Sequence, residues 1–273
     1  MSVFKKKPLK YENQIPVFSE IDSYVTNYEK IGGDILNNID IHGENPFMDE
    51  KYWNSIETST LTLINDSLNE NDRILDVGVG LGRLLNKVKK PVLKYGVDID
   101  IKQLSRIDNS ISVCMSKVEE LPYKDNLFDV IVCTDVLEHV LDLNLAVENI
   151  LRCLKPKGSL IIRVPYKEDL SNYLLESYPY EFAHLRNFDE NNLRLLFEVI
   201  FKMSLSEITY CGYLNSRTRV KYFNNMRIVQ KMIEIFIRGF SIIINGKTQD
   251  WLNKKLLNPI EINIKFVKNE SKN

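Results

Sequence analysis

The chain has 273 residues, of which 44% are hydrophobic, and a formal net charge of -1 at pH 7. This length and composition can bury one substantial core, so we expect one domain with additions rather than two independent units. The net charge alone indicates no class of partner. The sequence contains no run approaching the ~18 apolar residues of a membrane span and no apolar segment typical of a secretion signal.

The charges are distributed unevenly. Residues 214–273 carry 12 Lys and Arg against 4 Asp and Glu, whereas residues 1–213 carry 24 against 33. The sequence therefore predicts an acidic body with a basic C-terminal region. The four cysteines show no C-x-x-C spacing, which favours buried thiols of a cytoplasmic protein over disulfides or a metal site.

Residues 1–60 predict a helical cap. A helix is expected around residues 20–31, ended by Gly32-Gly33, and a second one from about Met48 to Leu68, where apolar residues recur at helical spacing. Several aromatic side chains suit a lid over a ligand, and the alternative is an aromatic helix face packed in the core. They are Tyr24, Tyr28, Phe47, Tyr52 and Trp53.

A short apolar strand then runs into three alternating glycines. The motif is D-x-G-x-G-x-G, formed by Asp76, Gly78, Gly80 and Gly82. Alternating glycines let the backbone turn sharply and let a ligand lie against it, whereas a ligand-free turn is the plainer alternative. A dinucleotide fingerprint would need its last glycine at position 83, where the chain has Arg83, so a pyrophosphate ligand is disfavoured.

This motif resembles motif I of class I S-adenosylmethionine-dependent methyltransferases. The resemblance extends over roughly half the chain, so it does not depend on one motif. It implies a Rossmann-like, doubly wound α/β fold with a mostly parallel seven-stranded sheet and a reversed last strand. It also implies S-adenosyl-L-methionine as the cofactor, with the glycines shaping the turn against its methionine part and Asp76 orienting that part.

The second strand ends in the sequence G-V-D-I-D. Asp98, at the carboxyl end of this strand, is expected to accept hydrogen bonds from both ribose hydroxyls of the cofactor, with Ile99 beside it. Asp98 matches the G-V-D-I form of this motif in the methyltransferases.

After the third strand, S-K-V-E-E-L-P resembles the family's adenine-binding segment. Lys117 occupies the place of the usual aspartate, so the adenine amine needs another acceptor, Ser116 or Glu119. Val118 is expected to contribute its backbone N–H to the ring. The region 116–119 therefore borders adenine in this interpretation.

The fourth strand ends in T-D-V-L-E-H-V. In an open parallel sheet ligands lie beyond the carboxyl ends of the strands, so Asp135 should border the cofactor and His139 the transferred methyl group. His184 lies in an aromatic segment, residues 165–188, where these enzymes bind the methyl acceptor. His139 and His184 are the candidate catalytic bases, with a purely structural role for His139 as the alternative.

A divalent cation is a further alternative at this position. The D-x-x-E-H spacing of Asp135, Glu138 and His139 resembles the E-x-x-E-H of small-RNA 2′-O-methyltransferases and quinone-pathway O-methyltransferases. That resemblance implies a cation with His184 as a fourth ligand. We assign no metal at this stage.

The predicted organisation is a cap over residues 1–60, a methyltransferase core over 61–213 and 259–273, and an insertion over 214–258. The insertion has an apolar stripe interrupted by cations, as in a basic amphipathic helix. Such a helix lies in a membrane interface, or it packs on the domain or on a second subunit. We therefore expect a cytoplasmic protein with either peripheral membrane contact or a homodimer through this segment.

The predicted function is transfer of a methyl group to a small-molecule, glycan or lipid-linked acceptor. A hydroxyl is preferred because imidazoles rather than a reactive thiol lie near the predicted site. No nucleic-acid partner is expected, since the sequence shows no basic groove with interleaved aromatics. The competing class is a non-catalytic methyltransferase-fold regulatory or scaffolding protein, which Lys117 favours, and an NAD-dependent reductase is a third.

Overall fold

The computed structural model describes residues 2–43, 50–213, 219–221, 226–243 and 247–270. In these residues the strands are β1 Lys10–Glu12, β2 Ile15–Val17, β3 Arg73–Val77, β4 Leu93–Asp98, β5 Ile111–Met115, β6 Phe128–Thr134, β7 Leu154–Pro165, β8 Ser204–Cys211, β9 Arg219–Val220, β10 Leu257–Asn258 and β11 Glu261–Val267. The α-helices are α1 Ser23–His42, α2 Glu50–Ser67, α3 Arg83–Lys87, α4 Ile101–Leu104, α5 Leu143–Cys153, α6 Glu190–Arg194, α7 Arg227–Ile243 and α8 Lys247–Leu256.

One sheet organises the chain, with the strand order β1-β2-β5-β4-β3-β6-β7-β11-β8. The strands from β2 to β7 are parallel, and β11 runs antiparallel to both β7 and β8. From β3, the next strands β4 and β5 lie on one side of the sheet, and the following strands β6 and β7 lie on the other. The carboxyl ends of β3 and β6 therefore form a switch point, where such sheets bind ligands. This arrangement confirms the predicted Rossmann-like fold and its reversed last strand.

The apolar strands of the centre are buried on both faces of the sheet. In β6, Val130 and Val132 pack into one hydrophobic cluster, while Ile131 and Cys133 pack into the other. Side chains alternate between the faces of a strand, so a continuous apolar run is what a two-sided core requires. Buried positions recur at helical spacing on α5, which covers one of these faces.

The N-terminal region departs from the prediction in two ways. The sheet has nine strands rather than seven, because the hairpin of β1 and β2 adds to the edge of β5. The predicted stop at Gly32-Gly33 is wrong, since α1 continues to Gly43, its C-cap residue. A Cβ at Gly32 would lie 1.7 Å from Asp100 Oδ2, so this glycine allows close packing of α1 rather than ending the helix.

The K-P-K-G sequence at residues 155–158, which is typical of a turn between a helix and a strand, lies within β7. Strand β7 already begins at Leu154, and its register with β6 shifts between the Phe128–Leu154 pair and the Val130–Ser159 pair. The extra residues therefore form an irregularity within the strand. Between β8 and β11 the chain forms α7, α8 and the β9–β10 pair. Phe47 of the predicted lid lies outside the described residues, as does the side chain of Tyr52.

Candidate functional site

The glycine turn between β3 and α3 consists largely of left-handed backbone. Gly78, Gly80 and Gly82 have φ angles of +77°, +50° and +72°, which side chains with a Cβ rarely adopt. A Cβ at Gly78 would also lie 2.2 Å from Val136 Cγ2. A Cβ added at Gly82 would lie 3.1 Å from Cδ1 of Ile111. The turn therefore brings bare backbone to the end of the sheet.

A cavity of about 900 Å³ lies at the carboxyl ends of the central strands. Gly82 is not among its lining residues, but the other predicted site residues are. They are Asp76, Gly78, Gly80, Asp98, Ile99, Lys117, Val118, Asp135, His139 and His184. The fold thus brings to one space side chains that are more than 100 positions apart in the chain.

Asp98 connects the end of β4 to the glycine turn. Its Oδ2 accepts a hydrogen bond from Gly80 N at 2.8 Å, and its Oδ1 accepts one from Asp100 N at 3.0 Å. Burial raises the pKa of this carboxyl group. Each oxygen retains a further lone pair, so the carboxylate is held in place and can still accept from hydroxyl groups in the cavity.

Asp76 lies at the base of the cavity, 2% exposed. Its Oδ1 is buried and accepts no hydrogen bond from the described residues. Burial raises the pKa of Asp76 to about 8; nearby Asp98 and Asp135 act in the same direction, and Arg163 opposes them. A buried carboxyl group with an unsatisfied oxygen is suited to a ligand that brings a positive charge or a donor.

On the adenine side of the predicted site, Lys117 turns toward the N-terminal segment. Its ammonium group forms an ion pair with Asp22, the N-cap residue of α1, and its backbone N–H donates to Ser19 Oγ at 2.9 Å. Val118 is buried, and both it and Glu119 line the cavity. Lys117 therefore connects this edge of the cavity to the helix above it.

Asp135 is held by a buried arginine. Its φ is +55°, and its carboxylate receives two guanidinium hydrogen bonds from Arg163, one of them from Nε at 3.3 Å. Arg163 is 3% exposed, and its guanidinium also lies 5.6 Å from the centre of the Trp53 ring. Although Asp135 lines the cavity, this pairing engages its charge, so its side chain is a less available ligand than its position suggests.

The two predicted bases lie together. The rings of His139 and His184 meet edge to face with their centroids 4.5 Å apart. Tyr28 Oη lies 2.9 Å from His139 Nδ1, and a carboxylate oxygen of Glu168 contacts His184 Nδ1. Beside them Glu138 is 1% exposed, and within the part of the chain that the structure describes neither of its carboxylate oxygens has a hydrogen-bond partner.

Burial dominates the protonation of this cluster. It lowers the pKa of His139 to about 3, with nearby His184 acting in the same direction, so His139 is a neutral imidazole at physiological pH. Burial likewise raises the pKa of Glu138 well above its usual range, and Asp135 adds to the effect. The cluster therefore combines a neutral imidazole with a buried carboxyl group that resists ionisation.

Helix α1 and the segment 165–188 cover the cavity jointly. Asn27 on α1 donates to Phe182 O at 3.2 Å and accepts from Glu181 N at 2.9 Å. Tyr24 meets Phe182 edge to face, and both tyrosines of α1, Tyr24 and Tyr28, line the cavity with Tyr173, Tyr178 and Tyr180 of the segment. Two segments of uncertain function in the sequence thus form one aromatic cover.

Sequence reasoning missed several residues that organise the site. The sequence could have indicated Arg163, because a lone cation within an apolar strand needs a buried partner. Nothing in the sequence pointed to Asn27 or Glu168, since their partners come from distant segments.

Taken together, the sheet order, the glycine turn and the strand-end acids define a class I methyltransferase.

The comparisons agree with this class. A family model described as a methyltransferase domain matches residues 51–199, more than half of the chain. The ubiquinone/menaquinone biosynthesis C-methyltransferase UbiE of Vibrio cholerae is 32% identical over 124 residues, which cover 40% of this chain and 47% of the relative. This chain spans less than half the length of the first curated relatives it matches, between 19% and 47%.

Solved structures share the fold at low sequence identity. A methyltransferase in complex with the Trm112 activator of Haloferax volcanii superimposes with a TM-score of 0.59 at 15% identity, over 92% of this chain and all of that one. Phosphoethanolamine N-methyltransferase 2 of Haemonchus contortus, solved with S-adenosylhomocysteine, gives 0.56 at 18% identity, over 92% of this chain and 61% of that one.

The chain belongs to this methyltransferase domain family. Membership confirms the predicted methyltransferase class. No helix in the described part of the chain is long and apolar enough to cross a membrane.

Proposed function

We propose that this protein transfers a methyl group from S-adenosyl-L-methionine to a hydroxyl of a small-molecule, glycan or lipid-linked acceptor. One observation carries the proposal. The glycine turn with Asp98 and the His139–His184 pair line the same cavity. Donor and acceptor can therefore meet in one space, which methyl transfer by in-line displacement requires.

The residues present fit the cofactor. The left-handed turn at Gly78 and Gly80 leaves room that a Cβ would fill, and Asp98 offers acceptors for the ribose hydroxyls. The unsatisfied Oδ1 of Asp76 suits the ammonium group of the methionine part. When bound, S-adenosylmethionine supplies an electrophilic methyl group on a sulfonium. The chain's own contribution is to orient this group and to exclude water with the aromatic cover.

A hydroxyl acceptor needs a place for its proton, and the site supplies imidazoles. We assign the role of proton acceptor to His184, because the Glu168 carboxylate contacts its Nδ1 and leaves Nε2 for an acceptor group. His139 is positioned by Tyr28 instead and borders the same cavity. None of the four cysteines is among the cavity-lining residues, so thiol chemistry has less support.

The lining of the cavity supports the proposed class of acceptor. Tyr173, Tyr178 and Tyr180 from the segment 165–188 present aromatic surface to the cavity. Aromatic rings bind planar or lipid-like groups and the faces of sugars through their apolar surfaces. The UbiE relative, by its name, acts in quinone biosynthesis, which is consistent with a ring-bearing acceptor.

Helix α7 adds a second surface to the proposal. Four of its apolar side chains are 59–80% exposed and recur at helical spacing: Ile228, Met232, Ile235 and Phe236. We propose that this face contacts an anionic membrane surface. A symmetric dimer would bring two copies of the same basic region together, so like charges disfavour that occupant. Contact with a membrane would bring the cavity to a lipid-linked acceptor.

The test is transfer of radiolabelled methyl from S-adenosylmethionine to fractionated extracts, with parallel titration by S-adenosylhomocysteine. We expect binding of both nucleosides and label in a small-molecule, glycan or lipid fraction, with the labelled methyl released as methyl iodide by hydriodic acid, as an ether methyl is. Binding without label in any fraction would favour the non-catalytic alternative. The sequence favoured that alternative because Lys117 replaces the usual aspartate. The Lys117 ammonium pairs with Asp22, so the lysine has a structural role that leaves the cofactor site in place.

A further inference from the structure

The cavity has a strongly acidic lining. Nine carboxylic acid side chains border it, against three lysine and arginine side chains. Acids gathered in a cleft give it a negative potential, because the protein walls screen their charges less than water does. The acids are Glu57, Asp76, Asp98, Asp100, Glu119, Asp135, Glu138, Glu168 and Glu261.

The three cations offset only part of this charge. Arg83 pairs with Glu57 at 2.7 Å, and Arg163 pairs with Asp135. Lys117 forms its ion pair with the N-cap residue of α1, which is not among the lining residues. Each cation is thus engaged with an acid, and nine acids against three cations leave an excess of six acids in the lining.

The acids also affect one another's protonation. Burial is the main cause of the raised pKa values of Asp76 and Glu138, and neighbouring carboxyl groups add to it. Asp98 and Asp135 do so for Asp76, although Arg163 opposes them, and Asp135 does so for Glu138. A positive charge that enters the cavity favours the ionised forms of these groups and is attracted by them.

Two buried acids of the lining indicate a positively charged ligand independently of this excess. Asp76 is 2% exposed and Glu138 1% exposed. Among the described residues, Asp76 Oδ1 and both oxygens of Glu138 have no hydrogen-bond partner. Native proteins rarely leave buried carboxyl groups without a donor or a cation. Asp76 suits the ammonium group of the methionine part, which leaves Glu138 for a second positive charge.

The methyl donor and its product differ in that second charge. S-adenosylmethionine carries a sulfonium, whereas S-adenosylhomocysteine carries a neutral thioether, and the two share every other charged group. When the acceptor oxygen forms its bond to the methyl group, the carbon–sulfur bond breaks and sulfur keeps the electron pair. The hydroxyl proton passes to His184, so the nucleoside loses its positive charge in the reaction.

We propose that the acidic cavity selects the positively charged methyl donor over its neutral product, with Glu138 as the residue that determines this selectivity. The inference deepens the proposed function and rests on it for the identity of the cofactor. One net charge at about 8 Å and an effective dielectric constant of about 20 corresponds to a preference of roughly ten- to thirtyfold. The neutral product therefore leaves readily, and its accumulation inhibits turnover little.

The test is isothermal titration of the protein with three nucleosides. They are S-adenosylmethionine, S-adenosylhomocysteine and sinefungin, in which a positively charged amine replaces the methylsulfonium. We expect the two charged nucleosides to bind roughly ten- to thirtyfold more tightly than S-adenosylhomocysteine. Sinefungin separates the effect of charge from that of contacts with the transferred methyl group.

Glu138→Gln tests the residue assignment. We expect this variant to lower the preference for the charged nucleosides about three- to tenfold, because it removes one buried charge. Its affinity for S-adenosylhomocysteine should stay as in the wild type, which also shows that it is folded. Glu148→Gln is the matched control, since it makes the same change at an exposed acid of α5 outside the lining. If Glu138→Gln does not fold, the three titrations of the wild type decide the selectivity.

The outcomes separate this inference from the proposed function. S-adenosylhomocysteine that binds as tightly as S-adenosylmethionine, or sinefungin that binds as weakly as S-adenosylhomocysteine, overturns selection by charge and leaves the proposed function standing. An unchanged preference in a folded Glu138→Gln variant overturns the role of Glu138. If none of the three nucleosides binds, the proposed function is contradicted and the selectivity with it.

Discussion

The carboxylate of Asp98 receives a hydrogen bond from the backbone N–H of Gly80 at 2.8 Å, across 18 positions of the chain. This bond joins the strand-end acid to the glycine turn, the two features on which the assignment of the cofactor site depends. Because Gly80 N–H fixes one oxygen of the carboxylate, Asp98 offers a preorganised acceptor to the ribose hydroxyls of the proposed complex.

Replacement of Asp98 by Asn should weaken cofactor binding without unfolding the protein. Hydrogen bonds to a charged group contribute about 1.5–3 kcal/mol, so we expect S-adenosylhomocysteine affinity to fall roughly ten- to a hundredfold. Isothermal titration measures this loss. The control is Asp125→Asn, which changes a surface acid paired with Arg152. Equal affinity in Asp98→Asn and the wild type would remove Asp98 from the ribose site.

Gly32 and Gly33 provide a matched pair for the packing of α1. An added Cβ meets Asp100 at 1.7 Å from Gly32 but meets nothing within 4 Å from Gly33. We expect Gly32→Ala to destabilise the protein by about 1–3 kcal/mol and to weaken cofactor binding, because α1 covers the cavity. Gly33→Ala should stabilise it by about 0.5–1 kcal/mol, as Ala does in a helix interior.

Urea unfolding and nucleoside titration of both variants test this pair. A similar loss of stability in the two variants would mean that α1 does not pack as closely on Asp100 as the structure has it. A loss of stability in Gly32→Ala with unchanged cofactor affinity would separate α1 from the function of the cavity.

The free energy of unfolding should decrease as the pH rises, because the folded protein keeps Asp76 protonated while the unfolded chain releases that proton. Its pKa is raised to about 8 in the folded protein, mainly by burial, against about 3.9 in an unfolded chain. Between these values the folded state holds a proton that the unfolded state releases, so the stability from this group is full below pH 4 and is lost toward pH 8. The slope reaches about 1.4 kcal/mol per pH unit.

Comparison of the wild type with Asp76→Asn isolates this contribution from those of Asp98, Asp135 and Arg163, which face the same group. We expect the variant to gain stability relative to the wild type as the pH rises from 5 to 8, as measured by urea midpoints. Parallel stability curves for the two proteins would show that Asp76 is ionised in the folded state throughout.

His184→Asn should lower turnover much more than cofactor affinity. Removal of a group that handles the acceptor's proton typically costs about 10²–10⁴-fold in rate. Glu168→Gln should show a smaller loss in the same direction, because Glu168 positions the ring. Single-turnover methyl transfer and S-adenosylhomocysteine titration separate the two effects. Equal losses in both measurements would indicate a structural role for His184.

The exposed face of α7 predicts salt-sensitive binding to anionic vesicles. Ile228→Glu with Met232→Glu should abolish co-sedimentation with phosphatidylserine vesicles, whereas Val199→Glu, at an exposed apolar site elsewhere, should not. Electrostatic attraction to such lipids weakens as salt screens it. If the wild type dimerises in solution and does not bind the vesicles, this face contacts a second copy of the chain instead.

The sequence was most informative where local pattern and tertiary structure agree. The apolar run of β3 and the alternating glycines after it need no distant partner to be recognised, and the fold confirms both the turn and the sheet. The strand-end position of Asp98 followed from the same local pattern. These features depend on backbone conformation and periodicity, which short segments encode.

The prediction was wrong where a distant contact decides the structure. Gly32-Gly33 is typical of a helix end, but the helix continues because Gly32 allows α1 to approach Asp100. Asp100 itself was unassigned, and it caps α4 by accepting from Lys102 N and Gln103 N. The sequence brought the two histidines together only through the alternative of a shared cation, and the edge-to-face contact of their rings depends on the tertiary fold.

The most direct test of the central assignment is a crystal structure of the protein grown with S-adenosylhomocysteine. We predict the nucleoside in the cavity, with its ribose hydroxyls within hydrogen-bond distance of Asp98 and its amino acid part along Gly78 and Gly80. An empty cavity in crystals that contain saturating nucleoside, or a dinucleotide in its place, would contradict the account.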